Sequence, residues 1–303
     1  MSQTLQAEVT PMPMPTRPGF WQRLLHGVRR LYARPDWAEF VGDDWPDHIM
    51  QTGVTDDFHE KQGRNTGRCL LQADGKQLAV YLKRHYRLPL RHGLLATFWP
   101  GGEWSPAMQE RRNLEWARAQ GLPVPNVVAA GEYLGPWGNL QSFLAIEELT
   151  DMLPLHEAIP LASRQLDPVT FRRWKAGLTR EIARLSRFLH DRNAFHKDLY
   201  LCHFFVRRAD ITQAPAWLGR VFMIDFHRFA RHRFTRTFWL TKDLGQLLFS
   251  SEIDGIDARD RLRFWHAYLG PRRRTGFGRW LERVVLMRGR RYREHNAKRK
   301  RAV

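Results

Sequence analysis

The chain has 303 residues, with 49 Lys and Arg against 31 Asp and Glu, and a formal net charge of +18 at pH 7. A hydrophobic fraction of 43% excludes wholesale disorder, and two cysteines, Cys69 and Cys202, exclude a disulfide-stapled scaffold and a cysteine-built zinc site. No stretch approaches the roughly 18 uncharged apolar residues of a spanning helix, so a soluble or peripheral protein in a reducing compartment is expected.

Residues 1–19 carry Pro11, Pro13, Pro15 and Pro18 and no basic start followed by an apolar run; a disordered tail rather than a secretory signal is expected. In residues 20–34, Phe20, Trp21, Leu24, Leu25, Val28, Leu31 and Tyr32 fall at helical spacing, with Arg23, His26, Arg29, Arg30 and Arg34 on the other side. This predicts a basic amphipathic helix within an N-terminal extension over residues 20–48. Such a helix either lies on an anionic membrane or packs on the body of the protein.

From about residue 50 the pattern turns to strands. Residues 68–72 and 77–83 flank Asp74-Gly75, a hairpin signal. A connecting segment rich in Gly, Trp and Pro runs to Pro106. A helix over residues 107–120 stops at Gly121, and strands over 126–132 and 142–148 follow. The second half reads as helical. Phe171, Trp174, Leu178, Ile182, Leu185 and Leu189 mark one buried face of a helix over 168–192, and two short apolar runs, 204–206 and 221–224, follow it. The fold class is therefore α+β, with an antiparallel sheet and one helix over residues 49–149 and a mainly helical part over 150–285. A basic tail over 286–303 closes the chain.

Four charged residues stand out by order and setting: Lys83, Glu110, Asp198 and Asp225. Singly, a strand-end Lys is usually solvated, a helix Glu is usually surface, and an Asp after a helix often caps a turn. An Asp closing an apolar strand is rarer, because a buried carboxylate needs a partner or a metal. Together they fit phosphoryl transfer, which needs a cation on the nucleotide phosphates, a carboxylate for Mg²⁺ and a carboxylate to orient the attacking hydroxyl. Glu110 shares its helix face with Ala107, Leu114 and Ala117; Glu115, on another face, is the second candidate for the partner of Lys83.

The segments AVYLKRHYRL (79–88), GLPVP (121–125), AIEELTD (145–151), FLHDRNAFHKDLYLCHFFV (188–206), VFMIDFHRF (221–229) and TKDLGQLLFSS (241–251) carry a resemblance. The chain resembles the bacterial lipopolysaccharide core kinases, the heptose and Kdo kinases related to protein kinases, over about residues 50–285. The His-x-Asp-x-Tyr-x-Cys-His pattern looks most like the inner-core heptose kinase. The resemblance implies a protein-kinase-like two-lobed fold and ATP and Mg²⁺ as cofactors. It implies that Lys83 grips the α- and β-phosphates, that Glu110 holds Lys83, that Asp198 is the catalytic base and that Asp225 holds Mg²⁺. His203 stands where kinases carry a second metal ligand, an Asn; it either orders the loop or takes a metal role. Gly63 and Gly67 bracket the implied phosphate loop, an ordinary strand turn being the other reading, and the backbone from Glu147 through Glu148 to Leu149 meets the adenine. Lys197 replaces the usual Arg, and Asp243 resembles the buried Asp that ties down the catalytic loop. His196 reads as a loop-orienting residue, and His227 and Arg228 face an anionic acceptor or serve the structure.

Residues 271–303 hold 13 Lys and Arg against two acids, a local net charge of +11. A field of this sign suits polyanions. With the resemblance, the expected partners are the anionic lipopolysaccharide core, the inner face of the inner membrane and an acidic carrier protein, with no nucleic acid. The alternatives are a Kdo, small-molecule or protein-tyrosine kinase of the same fold, a basic nucleic-acid-binding protein whose warrant is charge and 12 Trp, and a pseudokinase scaffold hinted at by His203 alone.

Overall fold

In residues 76–85 every second side chain, Leu78, Val80, Leu82 and Arg84, is buried, the period-two signature of a strand with one face on a core. The computed structural model describes residues 10–12, 18–53, 56–61, 63–213 and 215–301, so the tail expected over residues 1–19 lies mostly outside the described residues. The chain divides into two compact units, Met1–Trp116 with Pro125–Leu149, and Ala117–Val124 with Thr150–Val303.

The first unit contains β1 (Thr10–Pro11), α1 (Phe20–Leu25), β2 (Val28–Ala33), α2 (Trp37–Val41), α3 (Trp45–His48), β3 (Asp56–Lys61), β4 (Arg64–Ala73) and β5 (Lys76–His85). It continues with α4 (Leu90–Phe98), α5 (Pro106–Ala119), β6 (Val127–Leu134) and β7 (Leu140–Glu147). The strands form one antiparallel sheet in the order β1-β2-β6-β7-β5-β4-β3. Asp74 and Gly75 join β4 to β5 with φ of +46° and +74°, the two left-handed residues of a type I′ turn, whose twist matches that of the strands. Trp37, Trp45, Val80, Leu82 and Phe143 pack on one face of the sheet.

Two expectations are corrected here. Residues 20–34 are not one helix: α1 ends before Gly27, whose φ is +77° and whose Cβ, were it present, would lie 2.1 Å from the Leu134 carbonyl oxygen. The chain turns there and joins the sheet as β2, with Val28 opposite Leu134 and Ala33 opposite Ala129. The segment before Pro106 contains α4, so the sheet carries α1–α4 as well as α5.

The second unit contains β8 (Met152–Pro154), α6 (Leu155–Gln165), α7 (Pro168–Asp191), β9 (Ala194–Phe195), β10 (Phe204–Arg207), β11 (Phe222–Met223), β12 (Ala230–Arg231), α8 (Arg236–Ser250), α9 (Ala258–Leu269) and α10 (Gly276–Arg301). Asp167 caps α7 by accepting from the amides of Val169 and Thr170 at 2.9 and 3.1 Å, and Pro168 occupies the first turn. Its buried stripe, Trp174, Leu178, Ile182, Leu185 and Leu189, forms the axis of the unit. β8, β10 and β11 make a small antiparallel sheet, and β9 pairs with β12.

Residues 286–301 continue α10, in place of a separate tail. Leu281 and Val285 are buried against α8 and α9, Tyr292 lies 6.2 Å from the Phe249 ring, and Arg293 pairs with Glu252. Gly245 on α8 allows this approach; a Cβ there would lie 2.8 Å from the Arg288 Cβ.

Candidate active site

β5 carries Lys83 in the middle of the sheet, opposite Thr66 of β4 on one side and Leu144 of β7 on the other. Its Nζ donates to Glu110 Oε1 of α5 at 2.7 Å, and the two side chains are 13% and 4% exposed. The buried carboxylate thus has a cationic partner. Glu115 accepts instead from Arg111, both oxygens at 2.7 Å.

Gly63, at φ +79°, closes the β3–β4 hairpin beyond the Lys61–Arg64 pair. Residues 64–66 are not a loop: they belong to β4 and pair with His85, Arg84 and Lys83, while Gly67 is a buried strand residue opposite Leu82. At the end of β7, Glu147 accepts from Asn126 Nδ2 at 2.7 Å and Arg34 at 3.1 Å. Glu148 accepts from Arg68 at 2.9 Å and from the Tyr81 hydroxyl at 3.4 Å. These bonds occupy the side chains. The chain leaves the first unit at Leu149.

In the second unit α7 ends at Asp191, β9 follows, and His196–Tyr200 form the loop that carries Asp198. α8 fastens this loop through one stripe of its surface. Asp243, fully buried, accepts from the amides of His196 at 2.9 Å and Lys197 at 2.8 Å. Lys242 donates to the Lys197 carbonyl at 2.6 Å, Gln246 accepts from the Leu199 amide at 3.2 Å, and Ser250 accepts from the Leu201 amide at 3.0 Å. Positions 242, 246 and 250 recur every four residues, the spacing of a helix face. Lys197 takes a left-handed φ of +68°, which two flanking amides tied to one carboxylate can hold.

The Asp198 carboxylate accepts from Gln246 Nε2 at 3.3 Å and from Arg228 at 3.1 and 3.2 Å, and its side chain is 15% exposed. Burial, then the neighbouring Lys242 and Arg228 charges, lower the Lys197 pKa; burial and Arg228 likewise lower that of Lys242. The carboxylate thus interacts with the cations of Arg228 and Lys242, a setting able to receive an anionic molecule.

β10 and β11 bring the second acid in. Phe204 pairs with Met223, the Ile224 amide donates to the His203 carbonyl at 3.0 Å, and Asp225 follows with φ +65° and ψ +57°. Asp225 Oδ1 lies 2.5 Å from His227 Nδ1, and Oδ2 lies 3.7 Å from His203 Nε2. His196, wholly buried, spans the two loops: its Nε2 lies 2.8 Å from the Ile224 carbonyl and its ring stacks on His203. Burial, followed by the His203 charge, lowers its pKa, so the ring is neutral and Nε2 carries the proton.

His203 Nδ1 donates to the Asp198 carbonyl at 2.7 Å. Burial opposes its charge, but the Cys202 side chain, that carbonyl and Asp225 outweigh it and raise the pKa to about 9. A protonated ring offers no lone pair to a metal, whereas Asp225 offers hard carboxylate oxygens of the kind Mg²⁺ prefers. Among the described residues no cluster of three or more His, Cys, Asp or Glu could hold a metal ion.

Gln246, Lys242 and Ser250 escaped the sequence reading. Their four-residue spacing after Thr241 was the available signal, but it does not say what the stripe faces.

A sheet with a buried Lys–Glu pair and a carboxylate loop pinned by a buried Asp are the parts of a kinase. The chain belongs to the lipopolysaccharide kinase (Kdo/WaaP) family, whose family model matches residues 51–268. It is 30% identical over 233 residues to the lipopolysaccharide core heptose(I) kinase WaaP of Pseudomonas aeruginosa, a match covering 75% of this chain and 83% of that protein. It is 32% identical over 129 residues to the enzyme of the same name from Escherichia coli strain K12, covering 43% of this chain and 47% of that one. A solved structure described as WaaP in complex with acyl carrier protein superposes with a TM-score of 0.62 at 26% identity, covering 86% of this chain and 99% of that one. As a kinase of this family the chain uses ATP.

Proposed function

We propose that the chain transfers the γ-phosphoryl group of ATP to a heptose I hydroxyl of the lipopolysaccharide inner core. One observation carries most of the weight: in a chain 30% identical to a heptose(I) kinase, a loop fastened to α8 by Asp243 presents Asp198 beside Arg228 and Lys242.

In this reading Lys83 neutralises the α- and β-phosphates, and Glu110 holds its ammonium in place. Gly63 in the β3–β4 turn and Gly67 in β4 cover the phosphates, and the backbone of Glu147 and Leu149 meets the adenine. Asp225 would hold Mg²⁺, which would supply charge neutralisation. His203 is assigned to loop order, as a cation beside Asp225. Asp198 accepts the proton of the sugar hydroxyl, and Arg228, released from it, meets an anionic group of the acceptor.

The acceptor's lipid end places the enzyme at the inner face of the inner membrane, and the positive charge favours an anionic surface. No described helix is long and apolar enough to cross a membrane. An acidic carrier protein is proposed as a partner. The second unit holds a cavity of about 280 Å³ lined by residues such as Leu178, Ile182, Leu244, Leu247 and Val285, suited to the apolar chain that an acyl carrier presents.

The test is phosphate transfer from ATP to three acceptors, followed by mass spectrometry: a heptose-containing core oligosaccharide, a Kdo glycoside and a Tyr peptide. The expected product is a phosphoheptose. Transfer to Kdo or Tyr with none to heptose would overturn the assignment.

A further inference from the structure

An exposed aromatic face lies on the first unit and bears none of the residues used by the chemistry above. α1, α4 and the 3₁₀ turn Pro136–Gly138 meet there. Gly93 on α4 approaches Gly138 so closely that a Cβ would lie 1.7 Å from the Gly138 carbonyl oxygen. Phe20 of α1 lies 5.3 Å from the Phe98 ring of α4, with Trp21 and Trp99 next to them at 5.2 and 5.9 Å. Trp21 is 68% exposed, Trp137 67%, Leu90 61%, Trp99 60% and Phe98 53%. Large apolar residues scattered singly on a surface need no explanation, but three tryptophans and their neighbours on adjoining elements do.

Two further observations say what covers this face. The first is backbone conformation: Trp137 is held at φ +57°, where a non-glycine residue is strained, and the side chain so placed points at solvent. The second is charge. None of residues 18–35, 84–102 and 134–141, which include these elements, is Asp or Glu, although the chain has 31 such residues in 303. His26, Arg87 and Arg91 are exposed in the same segments. Indole rings at the level of lipid headgroups, with cations and no carboxylates, are the chemistry of an anionic bilayer interface.

We propose that Trp21, Phe98, Trp99 and Trp137 insert into the surface of an anionic membrane and that this face, rather than the C-terminal helix, holds the enzyme to the bilayer bearing its acceptor. The inference rests on the membrane location given above and names the surface responsible. It accounts for α1 and α4, short elements that bear none of the residues assigned to phosphoryl transfer. α10 has basic and aromatic residues too, but Leu281 and Val285 commit it to the core of the second unit.

Co-sedimentation of the full chain with vesicles of phosphatidylglycerol and phosphatidylethanolamine, against phosphatidylcholine alone, tests this. The variant Trp21→Gln/Trp99→Gln/Trp137→Gly should bind anionic vesicles on the order of tenfold more weakly. Its transfer to a water-soluble oligosaccharide acceptor should be unchanged, and glycine relieves the backbone at 137. The three single variants, each at a residue at least 60% exposed, provide the same readout should the triple variant fold poorly. Phe277→Ser/Trp280→Gln on α10 should bind as wild type. Absence of wild-type binding to anionic vesicles, binding undiminished in the patch variants, or loss confined to the α10 variant would each overturn the proposal. Kinase activity on the oligosaccharide is read separately, so failure of the heptose assignment would not be mistaken for failure of the membrane face.

Discussion

His203 shows how a substitution that looks awkward in sequence is accommodated. Its Nδ1 bond to the Asp198 carbonyl and its approach to Asp225 make the protonated ring part of the loop structure. The folded pKa, about 9, lies above the ordinary 6.5, so the stabilisation is complete below about pH 6.5 and is lost as pH rises through about 9. Thermal melts should show the wild type losing stability over that window while His203→Gln, already without the charge, changes less. Equal pH dependence in both would remove the charged ring from the account. Lys83, Glu110, Asp198 and Asp225 were legible in the sequence because each sits at the end or on the face of an element whose period is readable. Arg228 and Gln246 were less so: their partner, Asp198, lies 30 and 48 residues away, and nothing local marks the pairing.

At the scale of elements, α8 is the fixture of the candidate active site. Asp243→Ala would leave the buried amide of His196 and the partly buried amide of Lys197 without an acceptor, at about 1–3 kcal/mol for the buried one and less for the other. Denaturant unfolding should show a loss of this order, with turnover falling further than nucleotide affinity as the Asp198 loop loosens. A variant as stable and as active as wild type would refute this role. The same scale shows where periodicity misleads. Phe20, Trp21, Leu24 and Leu25 do form a helix, and Val28, Leu31 and Tyr32 continue the spacing by coincidence while belonging to β2. Only Gly27 marks the break, and the reason it must be glycine is the Leu134 carbonyl on a strand more than 100 residues later. The β4–β5 hairpin was legible because its turn chemistry is local; α4 was not, because Gly and Pro on either side resemble a loop.

At the scale of the molecule, the first compact unit carries the Lys83–Glu110 pair and the second carries the Asp198 and Asp225 loops. The basic C-terminus, readable in sequence only as charge, is a helix whose Leu281 and Val285 are buried in the second unit, while Arg290, Arg291 and Arg293 are exposed. The central claim is that the chain moves phosphate and that Asp198 receives the hydroxyl proton. The direct measurement is the rate of phosphate transfer from saturating ATP to a heptose-containing oligosaccharide by Asp198→Asn, alongside its affinity for a non-hydrolysable ATP analogue. A rate lower by about 10²–10⁴-fold is expected, with analogue affinity within a few-fold of wild type. A variant that transfers phosphate at close to the wild-type rate would contradict it.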